Sequence, residues 1–86
     1  MELKILDFMS TWCQPCKTMS PILDEIEKET GVEVRKIDVD DNEEMVIAYN
    51  IRNIPTLIFI KDNQIIDKIS GTVSKDILIN KISEYK

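Results

Sequence analysis

The sequence predicts an α/β fold, a minimal β-α-β-α-β-β-α core in which a four-stranded mixed sheet is flanked by three helices. The 86 residues suffice for one hydrophobic core, and we expect a single domain over residues 1–86. Apolar runs of strand length alternate with segments whose apolar residues recur at helical spacing. Two β-branched runs joined by a short polar segment indicate a hairpin. A strand-helix-strand unit followed by a hairpin and a helix is typical of a mixed sheet with helices on its faces.

The first half of the chain is expected to form the strand-helix-strand unit. Leu3–Met9 is almost continuously apolar and predicts a strand buried on both faces. The next segment has apolar residues on one helical face and ends before Gly31, a natural helix stop. Pro21 falls inside this helix and is expected to kink it, because proline supplies no N–H. Val32–Val39 predicts the second strand.

The second half is expected to form a short helix, a hairpin and a last helix. Asp40, Asp41 and Asn42 offer N-caps for the short helix, which is expected to end near Asn50. The hairpin strands and their polar connection are Thr56–Ile60, Ile65–Ile69 and residues 61–64. Gly71 then separates the hairpin from the last helix, and Ser74 can cap that helix. Its apolar face consists of Leu78, Ile82 and Tyr85.

Composition excludes several classes of function. The net charge of −5 argues against nucleic-acid binding, which needs clustered Lys and Arg. The longest apolar run, Leu57–Ile60, cannot span a bilayer, and we expect no membrane association. The N-terminal stretch MELKILDF lacks the parts of a secretion signal, so we expect a cytoplasmic protein in a reducing environment. The chain has no histidine, the commonest acid/base catalyst and metal ligand.

The segment Trp12–Lys17 reads WCQPCK and contains the only two cysteines. Cys13 and Cys16 are expected at the N-terminus of the first helix, with Pro15 in its first turn. Free N–H groups and the positive end of the helix dipole favour a thiolate there. Cys13, at the loop edge, is predicted to be the exposed nucleophile. Cys16, one turn into the helix, is predicted to be the shielded resolving thiol.

The spacing of the two cysteines alone leaves other interpretations open. They are also compatible with simple packing or with half of a metal site. Zinc usually takes four Cys or His ligands, and this chain offers two cysteines and no histidine. A zinc site would therefore need a dimer or carboxylates. We expect no metal and no cofactor other than a redox-active disulfide between Cys13 and Cys16.

Two charged residues strengthen the redox interpretation. Asp7 lies in the apolar first strand, and Lys36 has the same strand parity as Val32 and Val34, which are expected to face the core. If the first two strands are neighbours, the carboxylate and the ammonium meet beneath the cysteines and provide a proton acceptor for Cys16. Burial would raise the pKa of Asp7 and Lys36 would lower it. The alternative is a surface aspartate and a lysine that extends to solvent.

These features resemble the thioredoxin family over nearly the whole chain. The residues that carry the resemblance are Asp7-Phe8, Trp12–Lys17, Pro21-Ile22-Leu23, Lys36, Asp38-Val39-Asp40, Tyr49–Thr56 and Gly71. The resemblance implies a thioredoxin-like fold with a cis peptide bond before Pro55, which lies against the cysteine pair. It also implies that Asp7 is the buried acid/base and that Lys36 is its partner.

The resemblance further implies a substrate groove and partners. The predicted substrate-binding residues are Trp12, Gln14, Pro15, Ile54, Pro55, Gly71 and Thr72. The backbone of Ile54 is expected to pair with an extended substrate segment. The implied partners are disulfide-containing proteins and a thioredoxin reductase that recycles the protein, which is expected to be a monomer.

The chain departs from the family pattern at three places. Gln14 stands where thioredoxins usually have glycine, between the cysteines. Asn53 replaces the glycine before Ile54 and is expected to keep the turn, since Asn tolerates left-handed backbone angles. The chain starts at the strand that carries Asp7, without the usual first strand and helix. We therefore expect Val32–Val39 to be a sheet edge and one face of the sheet to be thinly covered.

The leading hypothesis is a thiol-disulfide oxidoreductase that reduces protein disulfides through Cys13 and Cys16. One alternative is a glutaredoxin-like reductase coupled to glutathione. The Trp-Cys-Gln-Pro-Cys sequence and the pair of Asp7 and Lys36 argue against it. Another alternative is a non-enzymatic interaction module that uses the same fold as a scaffold.

Overall fold

The computed structural model describes residues 2–86 and confirms the predicted order of elements. The elements are β1 (Leu3–Met9), α1 (Gln14–Thr30), β2 (Glu33–Asp38), α2 (Glu43–Ala48), β3 (Thr56–Lys61), β4 (Gln64–Ser70) and α3 (Lys75–Tyr85). None of the helices in the described part of the chain is long and apolar enough to cross a bilayer.

The four strands form one mixed sheet in the order β2-β1-β3-β4. β1 pairs in parallel with β2 and antiparallel with β3, and β3 pairs antiparallel with β4. β2 is therefore an edge strand, as the sequence predicts. Its exposed Glu33 and Arg35 place charges along this edge, which discourages pairing with another chain.

The hairpin turn between β3 and β4 is shorter than predicted. Lys61 and Gln64 pair with each other as strand residues, so the turn itself consists of Asp62 and Asn63. Both turn residues have positive φ, 53° and 66°. A two-residue turn with this geometry matches the twist of the flanking strands, and Asp and Asn tolerate it better than most residues.

The two faces of the sheet differ in how well they are buried. The face packed against α1 and α3 has the larger buried cluster: Leu3, Ile5, Met19, Leu23, Ile26, Val32, Leu57, Phe59, Leu78 and Ile82. The face towards α2 has only four buried apolar residues: Leu6, Phe8, Ile37 and Ile58. Most of its other apolar residues are only partly buried. This agrees with the expected thin cover on one face.

The helix ends mostly follow the predicted signals. α1 continues through Pro21 and ends at Gly31, which has φ 76° and donates its N–H to the Glu27 carbonyl at 3.0 Å. Ser74 caps α3 by accepting the N–H of Ile77 at 3.3 Å. α2 ends at Ala48, near Asn50 as predicted, but it has no side-chain cap. The amide of Asn42, which precedes α2, donates instead to the Asp38 carbonyl at 2.9 Å.

Candidate active site

The two cysteines lie where β1 leads into α1. Cys13 occupies the N-cap position with an extended backbone, φ −91° and ψ 111°, and Cys16 belongs to the first helical turn. They form a disulfide with their Cα atoms 5.2 Å apart. Pro15 lies at the start of the helix, where its missing N–H leaves no hydrogen bond unmade. The predicted cysteine pair at a helix N-terminus is therefore present.

A backbone hydrogen bond distinguishes the two sulfur atoms. The N–H of Cys16 donates to Cys13 Sγ, with a donor–acceptor distance of 3.2 Å. The exposed fractions of Cys13 and Cys16 are 5% and 4%, so the predicted exposure of Cys13 is wrong for this oxidised form. Solvent access thus does not separate the two residues. The hydrogen bond and the position at the helix N-terminus favour Cys13 as the sulfur that carries negative charge after reduction.

We expect Cys13 to alkylate about five- to tenfold faster than Cys16 when the reduced protein meets iodoacetamide at about pH 7. The reason is that N–H groups at the helix N-terminus lower the pKa of a Cys13 thiol and so raise its thiolate fraction. Fragment-ion mapping of the peptide that contains both cysteines gives the two rates. Equal rates, or a faster Cys16, would contradict this assignment.

Asp7 is a buried carboxylic acid in the middle of the sheet. It is 2% exposed, and its Oδ1 accepts no hydrogen bond from any residue that the structure describes. Burial raises the pKa of Asp7 from 3.8 to about 6, because the interior disfavours the charged form. Lys36 opposes this rise and Asp24 reinforces it. The prediction of a buried acid is confirmed, and the direction of its pKa shift, left open by the sequence, is upward.

Lys36 lies beside Asp7 but does not bind it. The two residues are Cα partners in the β1–β2 register, as the predicted strand pairing requires. The Lys36 ammonium, however, contacts Ser20 Oγ at 2.7 Å and Asp24 Oδ1 at 3.0 Å. No Asp7–Lys36 ion pair forms within residues 2–86, so the predicted direct contact is wrong. The lysine chain instead extends over α1, where its charge remains in water.

An apolar groove of about 200 Å³ lies next to Trp12. The Trp12 side chain is largely exposed, and its Nε1–H donates to Asp40 Oδ2 at 2.8 Å. This hydrogen bond ties the loop before α1 to the residues that follow β2. The other residues lining the groove are Val39, Val46, Ile51, Arg52, Asn53 and Ile54.

The remaining predicted substrate-binding residues surround the same end of the sheet. The Ile54–Pro55 peptide bond is cis, as the resemblance implies. The Pro55 carbonyl accepts the N–H of Gly71 at 2.8 Å, which joins the segment before β3 to the segment after β4. Thr72 follows Gly71 and is exposed. Gln14 and Pro15 are exposed in the first turn of α1. Of the predicted substrate-binding residues, Trp12 and Ile54 line the groove, and Gln14, Pro15, Pro55, Gly71 and Thr72 do not.

The architecture and the site match one family of known proteins. A family model described as Thioredoxin matches residues 1–84. The chain belongs to the thioredoxin family. It is 40% identical over 83 residues to a thioredoxin of Pyropia yezoensis, covering 94% of this chain and 78% of the relative. It is 42% identical over 82 residues to a thioredoxin of Mycobacterium bovis, covering 93% of this chain and 71% of the relative.

Solved thioredoxin structures confirm the fold. A mutant thioredoxin from Halobacterium salinarum NRC-1 superposes with a TM-score of 0.94 at 32% identity, covering 98% of this chain and 74% of that protein. Thioredoxins are protein-disulfide oxidoreductases, and this chain has the disulfide-forming cysteine pair that the activity requires. Membership therefore implies disulfide-containing proteins as substrates and a thioredoxin reductase as partner. Neither the glutaredoxin-like nor the interaction-module alternative is favoured.

The sequence does not predict the contacts that three residues of this thioredoxin site make. Asp40 was expected only as a helix cap, although it lies in a segment that carries the resemblance, and it binds Trp12 instead. Ser20 and Asp24 share a helix face at a spacing of four residues, but the sequence gives no sign that they bind Lys36.

The backbone of Asn53 also differs from the sequence-based expectation. The tolerance of Asn for left-handed angles is the reason to expect the turn at Asn53, yet this residue does not have positive φ. Its carbonyl accepts the Thr56 hydroxyl at 2.6 Å, which stabilises the turn in another way. In the part of the chain that the structure describes, no group of three or more Cys, Asp or Glu side chains is arranged to hold a metal ion.

Proposed function

We propose that the protein reduces disulfide bonds by an exchange in which Cys13 attacks and Cys16 resolves. The observation that carries this assignment is the hydrogen bond from the Cys16 N–H to Cys13 Sγ at the start of α1. After reduction, the same N–H group is available to a Cys13 thiolate. A sulfur anion held by backbone donors, with a second thiol one turn away, is the arrangement that disulfide exchange requires.

The exchange has two steps that balance electrons and protons. The Cys13 thiolate attacks one sulfur of the substrate disulfide, forms a mixed disulfide and releases the other substrate sulfur as a thiolate. Cys16 then loses its proton and attacks Cys13 Sγ, which releases the second substrate thiolate. Two electrons pass to the substrate, and the protein is left with the Cys13–Cys16 disulfide, the state that the structure contains. A thioredoxin reductase restores the dithiol.

Asp7 is the proposed proton acceptor for Cys16 in the second step. A pKa of about 6 means that Asp7 is mostly ionised at neutral pH and still able to bind a proton. The chain has no histidine that would offer the same chemistry. The unsatisfied Asp7 Oδ1 leaves an acceptor free for the thiol proton, directly or through one water.

The groove beside Trp12 is the proposed docking site for the substrate. Its lining is apolar, and Ile54 lies at its border immediately before Pro55. An extended substrate segment next to Ile54 would bring its disulfide towards Cys13. Because such docking pairs backbone with backbone, it depends little on the identity of the substrate side chains. Such docking suits a reductase that acts on many protein disulfides.

Conversion of both cysteines to serine is expected to reduce the activity to the uncatalysed background. The assay is the dithiothreitol-driven reduction of insulin, followed by precipitation of the released chain. The control is a variant at the exposed Thr18, Thr18→Ser, which should behave like the unchanged protein. Insulin reduction above the background without the cysteines would contradict the proposed exchange.

A further inference from the structure

Lys36 has one carboxylate as its neighbour across the sheet and another on the helix that packs over it. On β2 it is the register partner of Asp7. On α1, Ser20 Oγ at 2.7 Å and Asp24 Oδ1 at 3.0 Å hold it. The ammonium therefore binds the two acceptors on α1, whereas Asp7 Oδ1 has no hydrogen-bond partner within residues 2–86.

The spacing on α1 explains why the lysine is held there. Ser20 and Asp24 are four residues apart, so their side chains lie on the same face of the helix, one turn apart. Together they offer the ammonium one neutral and one charged acceptor. Lys36 and Asp24 are partly exposed, with side-chain exposures of 37% and 61%, so the ion pair keeps much of its hydration. Contact with the buried Asp7 would require the ammonium to lose that hydration.

We propose that Asp24 is a positioning residue for the redox reaction, which holds Lys36 on α1 and thereby keeps its charge away from Asp7. This inference rests on the proposed role of Asp7 as the proton acceptor for Cys16. By withholding the ammonium, Asp24 leaves Asp7 a stronger proton acceptor than a directly paired carboxylate would be. Ser20 assists as the second ligand of the ammonium.

Few charged groups face Asp7 from the elements packed against it. They are Lys36 from β2 and Asp24 from α1, while β3 places the apolar Leu57 opposite Asp7. In the reduced protein the thiol of Cys16, at the start of α1, adds a third titratable group. Lys36 lowers the pKa of Asp7 and Asp24 raises it, although burial is the larger cause of its high value.

Loss of the Asp24 charge acts on Asp7 in two ways that have the same sign. It removes a negative charge that disfavours ionised Asp7, and it frees Lys36 to approach Asp7. Both changes stabilise the Asp7 carboxylate and so lower its pKa. The proposal therefore makes a prediction of definite direction. Because removal of the Asp24 charge alone would act in that direction, the positioning effect is isolated by Ser20→Ala, which removes a neutral ligand of the ammonium and no charge.

The test is a titration of Asp7 in the oxidised protein, in which the cysteines do not ionise. The side-chain carboxyl ¹³C signal of Asp7 is followed by NMR against pH for the unchanged protein and for Asp24→Asn. We expect the midpoint to fall by about half a pH unit or more in the variant. Ser20→Ala should shift it in the same direction by a smaller amount.

Two control variants separate positioning from general charge. Glu25→Gln removes the same charge from the adjacent position of α1, but Glu25 pairs with Lys75 of α3 and should leave the midpoint unchanged. Asp24→Glu keeps the charge and should restore the midpoint. An unmoved midpoint in Asp24→Asn, equal shifts in Asp24→Asn and Glu25→Gln, or an unmoved midpoint in Ser20→Ala would overturn the proposal.

The titration also distinguishes this inference from the proposed function. It reports on Asp7 in any folded sample, whether or not the protein reduces disulfides. If Asp24→Asn shifts the midpoint but the pH dependence of the resolution step does not move with it, Asp24 controls Asp7 and the role of Asp7 in exchange is wrong. If neither the Asp7 midpoint nor the pH dependence of resolution moves, the positioning role of Asp24 is wrong. Reduction through Cys13 and Cys16 is then still tested separately by the insulin assay.

Discussion

Replacement of Cys16 by serine is expected to convert a transient intermediate into a stable product. Cys13 keeps its position at the N-cap of α1 and attacks the substrate disulfide as before. Without the Cys16 thiol, no internal nucleophile lies one turn away to release the substrate. The mixed disulfide should therefore accumulate as a one-to-one adduct. Non-reducing gel electrophoresis and intact-mass measurement after mixing the reduced variant with insulin would detect it.

The matched variant is Cys13→Ser, in which Cys16 is the only thiol. Cys16 is 4% exposed, and its sulfur is not the one that accepts the backbone N–H at the helix start. This variant should form little adduct over the same period. The opposite pattern, with adduct only through Cys16, would exchange the proposed roles of the two residues.

Asp7→Asn is expected to raise the free energy of unfolding by about 1–3 kcal/mol at about pH 8. The folded-state pKa of Asp7 is about 6 against 3.8 when the residue is fully solvated, so the folded protein binds more protons between these values. Stability therefore falls as pH rises through this window, by a total of about 3 kcal/mol at ~1.36 kcal/mol per pH unit. Asparagine does not ionise, and part of the gain is offset by its unpaired buried amide.

The measurement is urea unfolding of both proteins at several pH values. The difference between them should be small near pH 4 and grow up to about pH 7, because only the unchanged protein loses stability there. A difference that does not depend on pH would contradict the assigned pKa. In stopped-flow experiments the same variant should slow release of the substrate more than its capture, since only release needs Asp7 as proton acceptor.

Asp67→Asn is the matched control for that experiment, because its effect should have the opposite sign. Partial burial acts to raise the pKa of Asp67, but hydrogen bonds from Tyr85, Lys81 and the Lys68 backbone outweigh it and lower the pKa. An aspartate with a lowered pKa stabilises the folded protein above its unfolded pKa and loses this contribution as pH falls. The control variant should therefore be less stable than the unchanged protein at neutral pH.

Much of the fold was predictable because it depends on local pattern. The run of apolar residues defines β1, and Gly31 and Ser74 mark helix ends through their own backbone preferences. The strand order confirms the edge position of β2 that the sequence analysis predicts. The hairpin turn was predicted in position but not in length, since the register of Lys61 and Gln64 depends on pairing across two strands.

The positions of the candidate site residues in the fold were predicted better than their contacts. The motif places Cys13 and Cys16 at the start of α1, and the apolar strand around Asp7 predicts its burial, as the structure has them. The sequence does not reveal which acceptor Lys36 binds, because that depends on how α1 crosses the sheet and on the cost of dehydrating an ammonium. Nor does it give the burial of Cys13, since the packing of neighbouring loops sets that value.

The tryptophan beside the cysteine pair makes the protein its own optical probe. Trp12 is the only tryptophan in the chain, it directly precedes Cys13, and a hydrogen bond to Asp40 fixes its indole ring. All tryptophan fluorescence therefore originates at the redox centre. Reduction, substrate capture and release can be followed in real time on unlabelled protein.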